Sequence, residues 1–211
     1  REQTAGYGRR GAAWESGLGD VAATFLFEPG ASAERAAQLS FVAALAVADT
    51  ITAFAPAADV RLKWPNDVLA EGGKIAGILL ELIDGAAGAS PLVALGIGVN
   101  VVLRPADVQY PTARLLDLVA NAPGALETVD RLDLEFDKRR RRWAKEGFAE
   151  VRRDFLARAD RLGEMIRVRL PNEFLEGVFK DLDPSGALVL DCGGEERRIS
   201  AGVILRKQSP C

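Results

Sequence analysis

The spacing of apolar residues divides the chain into stretches of different period. Residues 1–19 are glycine-rich and carry both signs of charge without apolar periodicity, which predicts a loop. Residues 20–28, DVAATFLFE, predict a strand. Residues 32–54 begin at a serine cap and stay Ala-rich and apolar, the pattern of a helix buried on more than one face. DVRLKW and NDVLA predict two short strands, the second followed by a Glu71-Gly72-Gly73 turn. KIAGILLELI and PLVALGIGVNVV are longer, near-continuous apolar runs, as expected of central strands covered on both faces. Residues 112–118 predict a short helix, and 125–158 two helices broken near Gly147.

After Leu162 the pattern changes. IRVRL, FLEGVFKDL, GALVLDC and ERRIS predict short strands joined by turns at Pro171-Asn172, Asp183-Pro184-Ser185-Gly186 and Gly193-Gly194. A small antiparallel barrel or sandwich follows. The expected fold is α+β: a mixed sheet with packed helices over residues 1–161, then a small β-barrel over 162–211.

Composition narrows the function. The 211 residues are 48% hydrophobic and 27% charged, an ordinary globular balance. No apolar run approaches the roughly 20 residues needed to cross a bilayer, so no membrane partner is expected. No secretory leader is visible, and the chain opens at Arg1 within motif-like sequence, so a preceding native segment is expected. The net charge of -3 argues against a nucleic-acid partner. Cys192 and Cys211 sit in no metal-like pair, which suits a reducing, cytoplasmic compartment. There is no histidine, which excludes histidine-dependent triads, acid–base work and metal ligation. Chemistry falls to Lys, Arg, Asp, Glu, backbone amides or a metal ion brought by a substrate.

Five stretches could carry it, and each has a plainer reading. In QTAGYGRRGAAW, glycines 6, 8 and 11 let backbone approach a ligand, and Arg9 and Arg10 suit phosphate oxygens. Trp14 could stack on a planar group; a solvated surface loop is the alternative. In KWPND, a tight turn could present Asp67 to an amine or a nucleotide-bound metal, or simply join two strands. In GGKIAGILLE, Lys74 at the sheet rim would aim at an anion while Ala76 and Gly77 leave room, or it snorkels. Glu81 reads as a solvated strand end. LGIGVN places two glycines on one strand face, a bed for a flat ring or a packing detail. The DKRRRRW run reads chiefly as a solvated helix face with Trp143 buried.

Singly these signals are weak, but their order and wording resemble the biotin–protein ligase family over nearly the whole chain. KWPND with KIAGIL is the most specific part, and the Gly/Arg loop is next. The C-terminal strands resemble that family's small SH3-like domain. The resemblance implies ATP-dependent formation of biotinyl-5′-adenylate, then transfer of biotin to a lysine of a biotin carboxyl carrier protein. The carrier of acetyl-CoA carboxylase is the expected acceptor. Mg²⁺ would arrive with ATP. Carried over by position, Gln3 would touch biotin. Tyr7, Gly8 and Arg9 would close over biotin and the adenylate phosphate. Lys74 would bridge carboxylate and phosphate, and Asp67 would orient or deprotonate the acceptor amine. Trp14, Asn66, Gly77 and Asn100 match pocket positions, and Arg206 would reach back from the barrel. The family carries arginine where Tyr7 and Ala12 stand, and its Ser/Thr-Thr-Asn segment lies upstream of this loop. A lipoate or octanoate ligase and a weakened biotin-binding paralogue are the alternatives. An exposed sheet edge could pair two copies.

Overall fold

The computed structural model describes residues 3–83, 92–105, 108 and 110–205. Two five-stranded sheets and a helical layer make up the described residues. Strand β1 (Val21–Phe27) leads through Ser32 into α1 (Ala33–Ala36) and α2 (Leu39–Phe54). Ser32 Oγ accepts from Arg35 N at 3.4 Å, the expected cap. The single helix expected over 32–54 is therefore interrupted at Ala37–Gln38, where tighter bonds such as Gln38 N to Arg35 O intervene.

The first sheet adds β2 (Val60–Lys63), β3 (Asp67–Ala70), β4 (Gly73–Ile83) and β5 (Leu92–Val99), in the order β1-β5-β4-β3-β2. All its named pairings are antiparallel; among the described residues, parallel contact is confined to the isolated bridges Leu62–Ala159 and Lys74–Thr112. The β3–β4 connection is a two-residue turn. Glu71 (φ 47°) and Gly72 (φ 73°) both adopt the left-handed region that such hairpins need, and Gly73 already belongs to β4.

One face of this sheet packs on α2, with Leu39, Leu45 and Ile51 fully buried. Burying each contributes roughly 1.5–3 kcal/mol. Ala33–Phe54 is long and apolar enough to cross a membrane by length and composition, against the expectation that no run reaches that size. Alanine supplies much of the length, and 67% of its most apolar window is buried inside the protein. The other face departs from expectation too. β5 alternates between buried Val93, Leu95, Ile97 and Val99 and half-buried Gly96 and Gly98, so it is not covered on both faces. That open face carries the site.

Helices α3 (Ala125–Glu146) and α4 (Phe148–Leu156) break at Gly147, φ 82°, as expected. Two arginines of the run are tied to acidic side chains of the helical layer, while Arg140 and Arg141 stay on the helix surface beside Asp137. Arg139 bonds Asp49 and Asp154 at 2.6 Å each, Arg142 spans Glu146, Glu150 and Asp154, and Trp143 is buried. The second sheet orders β10 (Val203–Leu205), β6 (Met165–Arg169), β7 (Phe174–Leu182), β8 (Leu188–Asp191) and β9 (Glu196–Ile199), all antiparallel. β10 was not expected. Among the described residues β9 and β10 do not pair, so this is a five-stranded sheet without barrel closure.

Candidate active site

The site lies on the open face of the first sheet, where β3, β4 and β5 run side by side. Asp67 pairs with Gly77, and Gly77 with Gly98, so one row across three strands reads carboxylate, glycine, glycine. Lys74 joins this row through an irregularity. Between Val68 and Leu69 the register slips, so that β4 carries one extra residue, Ile75. The bulge changes the alternation of β4. Lys74 then points to the same side as Gly77 and Leu79 rather than into the core with Ala76 and Ile78. Its Nζ meets Asp67 Oδ1 at 2.6 Å, with both side chains about four-fifths buried.

The N-terminal loop folds over this row. It is more regular than a plain loop: Tyr7 bridges Ala13, Trp14 N donates to Gly6 O at 2.9 Å, and Arg9–Gly11 form a 3₁₀ turn. Trp14 lies on the glycine row. A Cβ on Gly98 would come within 2.3 Å of the indole carbons, and one on Gly77 within 3.1 Å. The ammonium of Lys74 stands 5.6 Å from the Trp14 ring and 5.5 Å from the Tyr110 ring. Trp14 Nε1 is buried and has no hydrogen-bond partner. Arg9 reaches Asn66 Oδ1 at 3.4 Å. Burial, then repulsion from Arg10, lowers the Arg9 pKa, and the charge of Asp67 partly offsets this. An arginine stays cationic regardless.

Arg9, Trp14, Asn66, Asp67, Lys74 and Gly77 are thus brought together. The other expected residues make contacts of their own. Gln3 is exposed and lies against Gly6. Tyr7 is exposed, and its hydroxyl donates at 3.4 Å to Glu81, further along the strand that carries Lys74 and Gly77. Gly8 N donates to Ala12 O at 2.7 Å within the loop. Asn100 donates its amide to Lys74 O and Ala113 O at 3.3 and 3.0 Å, fixing the backbone at Lys74. Arg206 lies outside the described residues.

Beyond Lys74 a cleft of ≈ 150 Å³ is lined by Trp14, Asn100, Tyr110 and Thr112 among others. Tyr110 was not anticipated; a lone aromatic before Pro111 in an irregular stretch was the only signal. Among the described residues no group of three or more acidic or cysteine side chains gathers to hold a metal. Chemically, the arrangement offers two cations and one carboxylate around a flat, apolar bed under an aromatic cover. It can neutralise an anion and exclude water from it.

Residues 1–100 match the Biotin/lipoate A/B protein ligase family, and residues 162–206 match the Biotin protein ligase C terminal domain. The biotin–[acetyl-CoA-carboxylase] ligase of Paracoccus denitrificans is 45% identical over 196 residues, spanning 90% of this chain and 81% of the relative. The enzyme of that name from Mycobacterium tuberculosis is 36% identical over 211 residues, spanning 96% and 76%. In three dimensions, the biotin protein ligase from Aquifex aeolicus in complex with biotin and ATP superposes with a TM-score of 0.83 at 24% identity, covering 99% of this chain and 87% of that one. This last likeness concerns the fold.

Proposed function

The chain belongs to the biotin/lipoate protein ligase family, and from that premise we propose that it is a biotin–[acetyl-CoA-carboxylase] ligase, using ATP to adenylate biotin and passing the biotinyl group to a carrier lysine. The observation that carries this reading is the Lys74–Asp67 pair at 2.6 Å, set beside Arg9 on a glycine bed under Trp14.

In the first half-reaction the biotin carboxylate attacks the α-phosphorus of ATP, and pyrophosphate leaves. Negative charge crowds where carboxylate and phosphate meet, and Lys74 with Arg9 would neutralise it there. A divalent cation would enter on the nucleotide's phosphates. In the second half-reaction a neutral carrier amine attacks the mixed anhydride and AMP leaves. Asp67 would accept the amine's proton or orient its lone pair. The adenylate must meanwhile be kept from water, and the Trp14 cover suits that task.

The acceptor would be the carrier domain of a carboxylase, as the relatives' names indicate. Pairing of two chains along the outer edge of β1, where Leu26 is 61% exposed, belongs to the same reading. Sedimentation analysis would reveal it. The decisive experiment incubates the chain with ATP, Mg²⁺, biotin and a carrier domain, read by mass shift on the carrier lysine. Lipoate in a parallel reaction separates the two acyl classes. No shift with either acid at saturation overturns the ligase reading.

A further inference from the structure

The turn that presents Asn66 and Asp67 is held from both sides. On the β4 side, Asn66 Nδ2 donates to Ile78 O at 2.6 Å, and Ile78 N donates to Asn66 O at 3.0 Å. On the far side stands the second sheet. Trp64, the first residue of the turn, is 2% exposed, and its Nε1–H donates to Gly186 O at 3.1 Å. Gly186 ends the β7–β8 turn with φ +90°, and a Cβ there would come within 2.6 Å of the Phe41 ring. This turn is itself locked. Asp183 Oδ1 accepts from Ser185 N, Ser185 Oγ and Ala187 N at 2.8, 2.6 and 3.0 Å. Asp183 N donates to Ala187 O at 2.8 Å, and Gly186 N donates to Asp183 O at 2.9 Å.

We infer that the 183–187 turn of the C-terminal sheet is a positioning element for the reaction: its Gly186 carbonyl fixes Trp64, and Trp64 sets the carboxylate of Asp67 three residues further on. The inference rests on the ligase reading and deepens it. Neither Trp64 nor Gly186 lines the cleft, so an effect on transfer passes through the turn. A misplacement of about 1 Å at a reacting group costs on the order of 10²-fold in rate. Loss of one fixing bond, with the ring still buried, should cost less.

The test replaces Trp64→Phe, which keeps a buried ring and removes the donor. Trp143→Phe is the control. Trp143 is also 2% exposed and donates Nε1 to Gln38 Oε1 at 3.0 Å, between α3 and the start of α2. Single-turnover transfer from preformed biotinyl-adenylate, biotin KM and melting temperature are measured for both. The expected result is a comparable drop in melting temperature, with transfer slowed about 10-fold in Trp64→Phe alone and biotin KM unchanged within about twofold. Should Trp64→Phe not fold, Asp183→Asn loosens the same turn and should slow transfer in the same direction. Wild-type transfer rates in these variants, or equal slowing in the control, would overturn the inference. A wild-type chain that transfers nothing overturns the ligase reading instead.

Discussion

Lys74 meets Asp67 at 2.6 Å across two neighbouring strands, although regular alternation would send the lysine into the core beside Ala76. The extra residue at Ile75 makes the pair, and the Asn100 amide holds the Lys74 carbonyl in that bulge. An ion pair built this way at a partly buried rim is poised for a second anion, because its ammonium carries three donors.

Replacing Lys74→Met should therefore disable the first half-reaction before it disturbs the fold. Removing a donor that stabilises developing charge costs about 10²–10³-fold in rate. Biotin-dependent exchange of pyrophosphate into ATP measures it. Exchange within about threefold of wild type would mean that Lys74 does not serve the phosphate.

Asp67→Asn should separate the half-reactions. Adenylate formation needs no base, so exchange should persist. Transfer from preformed adenylate to the carrier should fall about 10²-fold, the low end for loss of a positioned base. Equal losses in both steps would make Asp67 only the anchor of Lys74.

That residues 67 and 74 lie on adjacent strands was legible in the sequence, because the turn expected at Glu71-Gly72-Gly73 joins those strands; their direct ion pair was not. Ser32 and Gly147 likewise marked helix ends through their own chemistry. The bulge was not legible, since Ile75 sits in an unbroken apolar run and bulges are decided by tertiary contact. Here that contact is the segment at Pro111–Ala113: Lys74 N donates to Pro111 O, and Ala113 N to Lys74 O. Tyr110 and the Trp64–Gly186 bond were hidden for the same reason, being products of long-range packing between stretches with no shared period. β10, three residues long, is too short for alternation to register.

Gly98→Ala should weaken biotin binding without unfolding the chain. The added methyl meets Trp14 ring carbons at 2.3 Å, so the indole must leave the bed. We expect an affinity loss of about 10-fold by calorimetry, and a smaller combined loss in Gly98→Ala/Trp14→Ala than the two single losses predict, as neighbours couple. Strict additivity would separate Trp14 from the bed.

Ala12→Arg adds a cation to the loop that carries Arg9 and Arg10, where the family resemblance leads one to expect an arginine. Ala12 is exposed, so the longer side chain has room. A charge-assisted hydrogen bond to the adenylate should slow its dissociation about 10-fold. An unchanged off-rate in a chase with unlabelled biotin would show that position 12 does not reach the phosphate.

The helical layer should set the acid limit of the fold. Asp154 lies between Arg139 and Arg142 with its side chain 21% exposed. Burial pushes its carboxyl up, but the hydrogen bonds and charges of Arg139, Arg142 and Arg153 outweigh burial and hold it below the usual carboxylate value. A depressed folded pKa means that the folded state binds fewer protons than the unfolded one. The stabilisation is therefore full above the unfolded value of about 3.9 and is lost as pH falls through the lower folded value. Asp154→Asn, which mimics the protonated form, should cost about 2 kcal/mol at pH 7, and the gap to wild type should close toward pH 2. Urea titrations at the two pH values read the difference directly. A gap that stays constant would mean that the Arg139–Asp154–Arg142 contacts stabilise by shape and not by charge.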